Sequence, residues 1–290
     1  MRKQFVSTLY NMMAVDKNIC LLLGDIGVFG FKKCFDEYPN RTYNIGILEQ
    51  SMMSLASGLS KSNLIPVVHT IAPFMVERAL EQIKIDFGYQ KTNGNFISIG
   101  NSYDYTGLGC THHCPGDVQI LSSVPEVQIV LPGNGKEFDI LFKQSYNNNS
   151  PTYFKLSDHE HDIDLKIDFG VANVIKTGND ALVICFGNML HSVYEAVKDL
   201  DITLIYYSTI IPFDRETLRK NFKKNIIVCE PFYEGSVNFL ITKSLQGEEY
   251  KLSNIGIPRE FIHNYGKKDE IDQLLELDTN SIKNKILKLL

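Results

Sequence analysis

Between residues 19 and 132 the chain alternates two kinds of segment. Short apolar runs, NICLLLG, TYNIGI, LIPVVHTI, NFISIG and VQIVLP, have the length and β-branched content of strands. Between them LEQSMMSLASGLSKS, PFMVERALEQIKIDFGYQ and NGKEFDILFKQSYNN carry apolar residues at helical spacing. The last begins at Asn134, a capping side chain, with Glu137 three residues on. Strands alternating with helices predict parallel βαβ units. A polar, acidic, histidine-bearing stretch, SDHEHDIDLKIDF, reads as a linker. Beyond it ALVICFG, ITLIYYST and NIIVCEP predict further strands, interleaved with helices at LHSVYEAVKDL, RETLRKNF and SVNFLITKSLQ and closed by KDEIDQLLEL and SIKNKILKLL. The expected fold is therefore α/β in two domains, 1–160 and 161–290, each a mostly parallel sheet flanked by helices.

Composition narrows the partners. The 290 residues suit two domains, and 44% hydrophobic with 22% charged residues predicts a chain that folds throughout. Net charge is -5 and no basic stripe with interleaved aromatics occurs, so the expected partners are proteins or small molecules, not nucleic acid or membrane. No apolar run approaches the roughly 20 residues that span a bilayer. The segment MRKQFVSTLYNMMAVDKN reads as an amphipathic helix, not a targeting signal. Cys20, Cys185 and Cys229 lie in apolar strand runs, as buried free thiols do, which points to a reducing cytoplasm.

Two segments can carry chemistry. Glu49 follows a predicted strand and opens a helix rich in small residues, where a carboxylate either faces a ligand crevice or complements the helix dipole. Downstream, GLGCTHHCPGD sets His112 and His113 in a glycine-rich loop suited to a reacting substrate, although hydrogen-bonded packing suits His113 equally. Cys110-x-His112-His113-Cys114 lacks zinc-site spacing, so no metal is assigned to this chain. Gly116-Asp117 ahead of Asn147–Asn149 imitates the GDG…N signature that holds magnesium and diphosphate, but Val118 replaces its last glycine. No Walker or GxGxxG loop is present. The chain is not expected to grip a diphosphate alone.

Read together, NIGILEQ, TIAPF, RALEQI, LGCTHH, VLPGNGKEF and PTYFKLS resemble, in order and spacing, the pyrimidine-binding domain of the transketolase family. FGNMLHSVYEAV, STIIPFD, VCEPFYEGS and IGIPREFIHNYGKKDEI resemble that family's C-terminal domain, so nearly the whole chain is covered. 1-Deoxyxylulose-phosphate synthase and the β subunits of 2-oxoacid dehydrogenases share much of the pattern. The resemblance implies thiamine diphosphate as cofactor, with Mg2+ and the diphosphate held mainly by a separate subunit equivalent to the N-terminal half, in an α2β2 assembly. It implies that Glu49 hydrogen-bonds N1′ of the aminopyrimidine and so favours the tautomer that deprotonates the thiazolium. It places Phe74 against the pyrimidine ring, Ile71 on the same pocket and His112 beside the reacting carbonyl, with His113, His69 and Lys155 as substrate contacts.

The implied reaction is transfer of a two-carbon ketol unit from a ketose donor to an aldehyde acceptor. A 2-oxoacid dehydrogenase β subunit and a non-catalytic scaffold subunit of the same fold are the alternatives; REFIHNYGKKDEI favours transketolase. Three departures from the family pattern imply a specialised sugar: Leu108 stands where aspartate is usual, Gly100 near a usual histidine, and Asp158 near a usual arginine. A carboxylate at 158 would repel a phosphate dianion.

Overall fold

The computed structural model describes all 290 residues. In chain order its strands are β1 (Ile19–Leu23), β2 (Thr42–Asn44), β3 (Ile65–Ile71), β4 (Gly94–Ile99), β5 (Gln128–Val130), β6 (Pro151–Lys155), β7 (Asn173–Lys176), β8 (Ala181–Phe186), β9 (Ile202–Tyr207), β10 (Thr209–Ile211), β11 (Asn225–Tyr233) and β12 (Lys251–Ile257). They form two sheets, ordered β10-β5-β6-β4-β3-β1-β2 and β12-β11-β8-β9-β7. All pairings are parallel except β10 with β5 and β7 with β9. β1, β3, β4, β8 and β9 are buried along their whole length, which is why β1 and β8 read as unbroken apolar runs and the others are mainly apolar. No helix is long and apolar enough to cross a membrane.

Each run expected as a strand contains one. Four strands lie outside those runs: β6, β7, β10 and β12. The three-residue β10 joins the first sheet from beyond residue 200, so the two halves interlock. The segment expected as one helix, residues 73–90, is broken into Ala72–Val76, Leu80–Gln82 and a π-helical turn, Ile83–Tyr89. At the break, Arg78 N–H reaches back to Pro73 O at 3.1 Å, a five-residue span that re-aims the chain. The helix Gly135–Ser145 is capped as its sequence implies: Asn134 Oδ1 accepts from Glu137 N at 3.0 Å and Glu137 Oε2 accepts from Gly133 N at 2.7 Å. Residues 157–169 carry neither helix nor strand, yet His161 is buried 3.0 Å from Glu137. That stretch is packed against the first sheet's capped helix.

The last residue of β6 corrects one expectation. Lys155 has no accessible surface; its Nζ donates to Asp117 Oδ1 at 2.5 Å and to Cys114 O at 3.3 Å. Tyr153 OH and Val118 N–H also donate to the Asp117 carboxylate, at 2.6 and 2.8 Å. Lys155 is therefore an interior counter-ion that ties β6 to the helix Asp117–Ser122, and it is out of a substrate's reach. Lys155→Met strands a buried anion and should cost about 3–5 kcal/mol in urea unfolding, most of it recovered in Asp117→Asn/Lys155→Met. Normal stability in Lys155→Met, with only substrate affinity changed, would contradict this placement.

Candidate active site

β2 ends at Asn44, and the chain passes through Gly46, whose φ of +82° favours glycine, before Glu49 opens the helix Glu49–Lys61. The Glu49 side chain is 1% exposed. A carboxylate so far from water needs a partner, and Arg78 Nη1 donates to its Oε2 at 2.6 Å. The other oxygen is almost free: Thr70 Oγ1 stands 3.5 Å from Oε1, at the limit of a hydrogen bond.

The Arg78 guanidinium carbon also lies 4.3 Å from the centre of the Phe74 ring, so one cation covers an aromatic face and holds a carboxylate. His112 meets Phe74 edge-on at 5.3 Å and Tyr105 at 6.0 Å. It sits on the short turn Cys110–His112, entered through Gly109 at φ +73°, with Nδ1 2.9 Å from Thr111 Oγ1. Ile71 closes β3 directly ahead of the helix bearing Phe74. Arg78 thus links Glu49 to Phe74, and Phe74 meets His112, at the carboxyl end of the first sheet, where open α/β sheets bind ligands. The arrangement offers an aromatic face, a carboxylate oxygen with almost no partner and a half-buried imidazole.

Two expected substrate contacts lie elsewhere. His113 is buried, with Nε2 3.3 Å from Tyr105 O, and lines a separate cavity with Glu77, Cys110, Tyr233 and Phe261. Burial lowers its pKa. His69 has no accessible surface: Nδ1 lies 2.7 Å from Ile97 O, and the Phe5 ring packs at 4.9 Å. Burial pushes its pKa down to about 4, so it is a neutral core histidine and not a substrate contact in this structure. The reading from sequence also passed over Arg78, which meets Phe74 at the point where the helix breaks.

Residues 1–161 match the transketolase pyrimidine-binding domain and residues 170–282 the transketolase C-terminal domain. The chain belongs to the transketolase family. It is 33% identical to an uncharacterized 33.6 kDa protein in the fasciation locus of Rhodococcoides fascians, over 97% of this chain and 92% of that one. It is 28% identical to a subunit of the apulose-4-phosphate transketolase of Phocaeicola vulgatus, over 97% and 94%. A solved split-gene transketolase, in an inactive β4 tetramer, shares the fold at a TM-score of 0.87 and 20% identity, covering 99% of this chain and 97% of that one.

Two outcomes test the geometry of this family member. Arg78→Met should destabilise the chain by about 2 kcal/mol in urea, and Glu49→Gln/Arg78→Met should recover part of that, because the charge left without a partner is gone. For His69 the folded pKa is about 4 against an unfolded 6.5. The stability it contributes is intact above pH 6.5 and is lost as pH falls toward 4, by at most roughly 3 kcal/mol. His69→Phe should flatten the stability profile in that window by up to one proton; an unchanged slope contradicts a buried neutral imidazole.

Proposed function

We propose that the chain is the C-terminal subunit of a thiamine-diphosphate-dependent enzyme that transfers a two-carbon ketol unit from a ketose to an aldehyde, acting on a specialised sugar. Residues 1–160 would form the pyrimidine-binding unit and 161–290 the C-terminal domain. The observation that carries this reading is Glu49: buried, with one oxygen pinned by Arg78, the cation that also covers Phe74, and the other nearly unbonded. When bound, thiamine diphosphate supplies the nucleophilic carbon that adds to the ketone. Glu49 would share a proton with the pyrimidine nitrogen through its free oxygen, which is itself shielded from water. Phe74 and Ile71 give the ring an apolar surface. His112 would donate to the substrate oxygen as negative charge develops there.

The diphosphate and Mg2+ would sit on a partner equivalent to the family's N-terminal half, since this chain has no complete GDG…N signature. The surface beside Glu49 suits a partner. Ile47 and Leu48, immediately before it, are 66% and 58% exposed, and Leu55, Ile85 and Tyr89 on the adjoining helical turns are exposed as well. Ser54 OH donates to Asp86 at 2.7 Å and joins those turns into one face. Large apolar side chains exposed together mark a protein interface. The Phocaeicola vulgatus relative, named as one subunit of its enzyme, and the split-gene structure support a divided enzyme, here assigned as α2β2. The six unpaired cysteines, five of them buried, suit a cytoplasmic location.

Calorimetric titration of thiamine diphosphate and Mg2+ should show binding to the complex with the N-terminal-half subunit and not to this chain alone. In that complex Glu49→Gln should lower kcat by about 100-fold or more. Absence of cofactor binding in both preparations, or full activity of Glu49→Gln, overturns the proposal. Turnover of 2-oxoacids that lack a 3-hydroxyl, such as pyruvate, in place of ketoses would move the chain to the dehydrogenase β subunits.

A further inference from the structure

We infer that Arg2 and Tyr105 form a subsite for the far end of the substrate, and that this end carries a hydroxyl and no phosphate. The inference rests on the reading above, in which the reacting carbonyl lies beside His112.

The subsite is built around an absence of side chain. Gly100 follows β4 with φ +83°, and a Cβ there would stand 2.5 Å from Tyr105 Cε2 and 3.5 Å from Ile71 Cγ2. Glycine therefore leaves the volume that the Tyr105 ring fills, next to Ile71 and 6.0 Å from His112. The Tyr105 hydroxyl accepts from Arg2 Nη2 at 2.9 Å, which leaves its own proton free to donate. Arg2 comes from the first turn of the helix Arg2–Val15, whose Phe5 packs on His69. Its Nε is out of water and has no hydrogen-bond partner. Arg2 itself also lines a cleft that is open to solvent. His112 thus meets Tyr105, Tyr105 is bonded to Arg2, and Arg2 borders the cleft.

The charges of that cleft decide what it holds. Around Arg2 stand Lys3, Lys136, Asp158, Glu160, Asp162 and Asp164. Lys136 is paired with Asp164 at 2.5 Å, and Glu160 is paired with the Met1 amino group. Arg2 and Lys3 are matched in number by Asp158 and by Asp162, which also lies 2.9 Å from His191 Nδ1, so the lining carries no surplus of positive charge for a dianion. A hydroxyl can accept from Arg2 or Tyr105 and donate to a carboxylate such as Asp158. Gly100 and Asp158, two of the positions at which this chain departs from its family's pattern, both border the pair.

The test uses the assembled complex with thiamine diphosphate, Mg2+ and glycolaldehyde as acceptor. Donors are hydroxypyruvate, which ends short of the subsite, and free ketoses of about five to seven carbons with their terminal phosphates. The readout is the ratio of kcat/KM for the best free ketose to that for hydroxypyruvate. Arg2→Met and Tyr105→Phe should each lower this ratio about tenfold, chiefly through KM, and Arg2→Lys should restore part of it. Gly100→Ala, which displaces the Tyr105 ring, should lower it as well. A ratio unchanged in Arg2→Met and Tyr105→Phe, or a wild-type preference for the phosphorylated ketoses, overturns the inference while ketol transfer stands. If the wild-type complex turns over neither hydroxypyruvate nor any ketose, ketol transfer itself falls and takes the subsite with it.

Discussion

The site depends on one buried ion pair. Glu49 is held at the end of the sheet with almost no contact with water, and Arg78 is its only cationic partner. That requirement shapes the chain around it. Arg78 can reach Glu49 because the helix breaks after Val76, and the break in turn lets the guanidinium lie on Phe74, whose edge contact sets His112. Arg78 remains 38% exposed, so the pair sits at the mouth of the crevice and not in the core. A pair that is half wet is less costly to bury than a dry one, and it leaves one carboxylate oxygen for other use.

The second half of the chain serves the site by holding the glycine-rich loop. Tyr233 N–H donates to Pro115 O at 2.9 Å, and the Ser102 hydroxyl donates to the Pro231 carbonyl. The Tyr265 ring covers Gly109 so closely that a Cβ there would stand 2.6 Å from it. Behind these contacts Tyr206 OH donates to Glu137 at 2.6 Å and β10 pairs with β5, joining the two sheets into one body. The loop carrying His112 is therefore clamped from both sides, which suits a group that must meet a substrate in a fixed orientation.

How much was legible in the sequence follows from what a linear pattern records. Buried parallel strands announce themselves as continuous apolar runs, so the alternation up to residue 132 was readable, whereas three-residue β10 carries no period at all. Glu49, Ile71, Phe74 and His112 could be named as candidates because local motifs surround them. Lys155 and His69 were misplaced because sequence records no depth: the Lys155 partner lies 38 residues away, on a helix whose packing no spacing reveals. Arg78 reaches its carboxylate across 29 residues, and Arg2 reaches Tyr105 across 103. Those contacts belong to the fold, and only the fold shows them.

The departures from the family pattern can be reconciled with intact machinery at Tyr105. Its carbonyl accepts from Leu108 N at 2.9 Å and Gly109 N at 3.2 Å, and lies 3.3 Å from His113 Nε2. The backbone of Tyr105 thus organises the turn that presents His112, while its side chain points to Arg2. Leu108, half exposed on that turn, takes its place from the same carbonyl. The main chain of Tyr105 thus holds the turn whatever its side chain is, and the side chain is left to contact Arg2. Gly100, Leu108 and Asp158 all lie around this one element, so on the proposed reading a change of substrate would need no change at Glu49, Phe74 or His112.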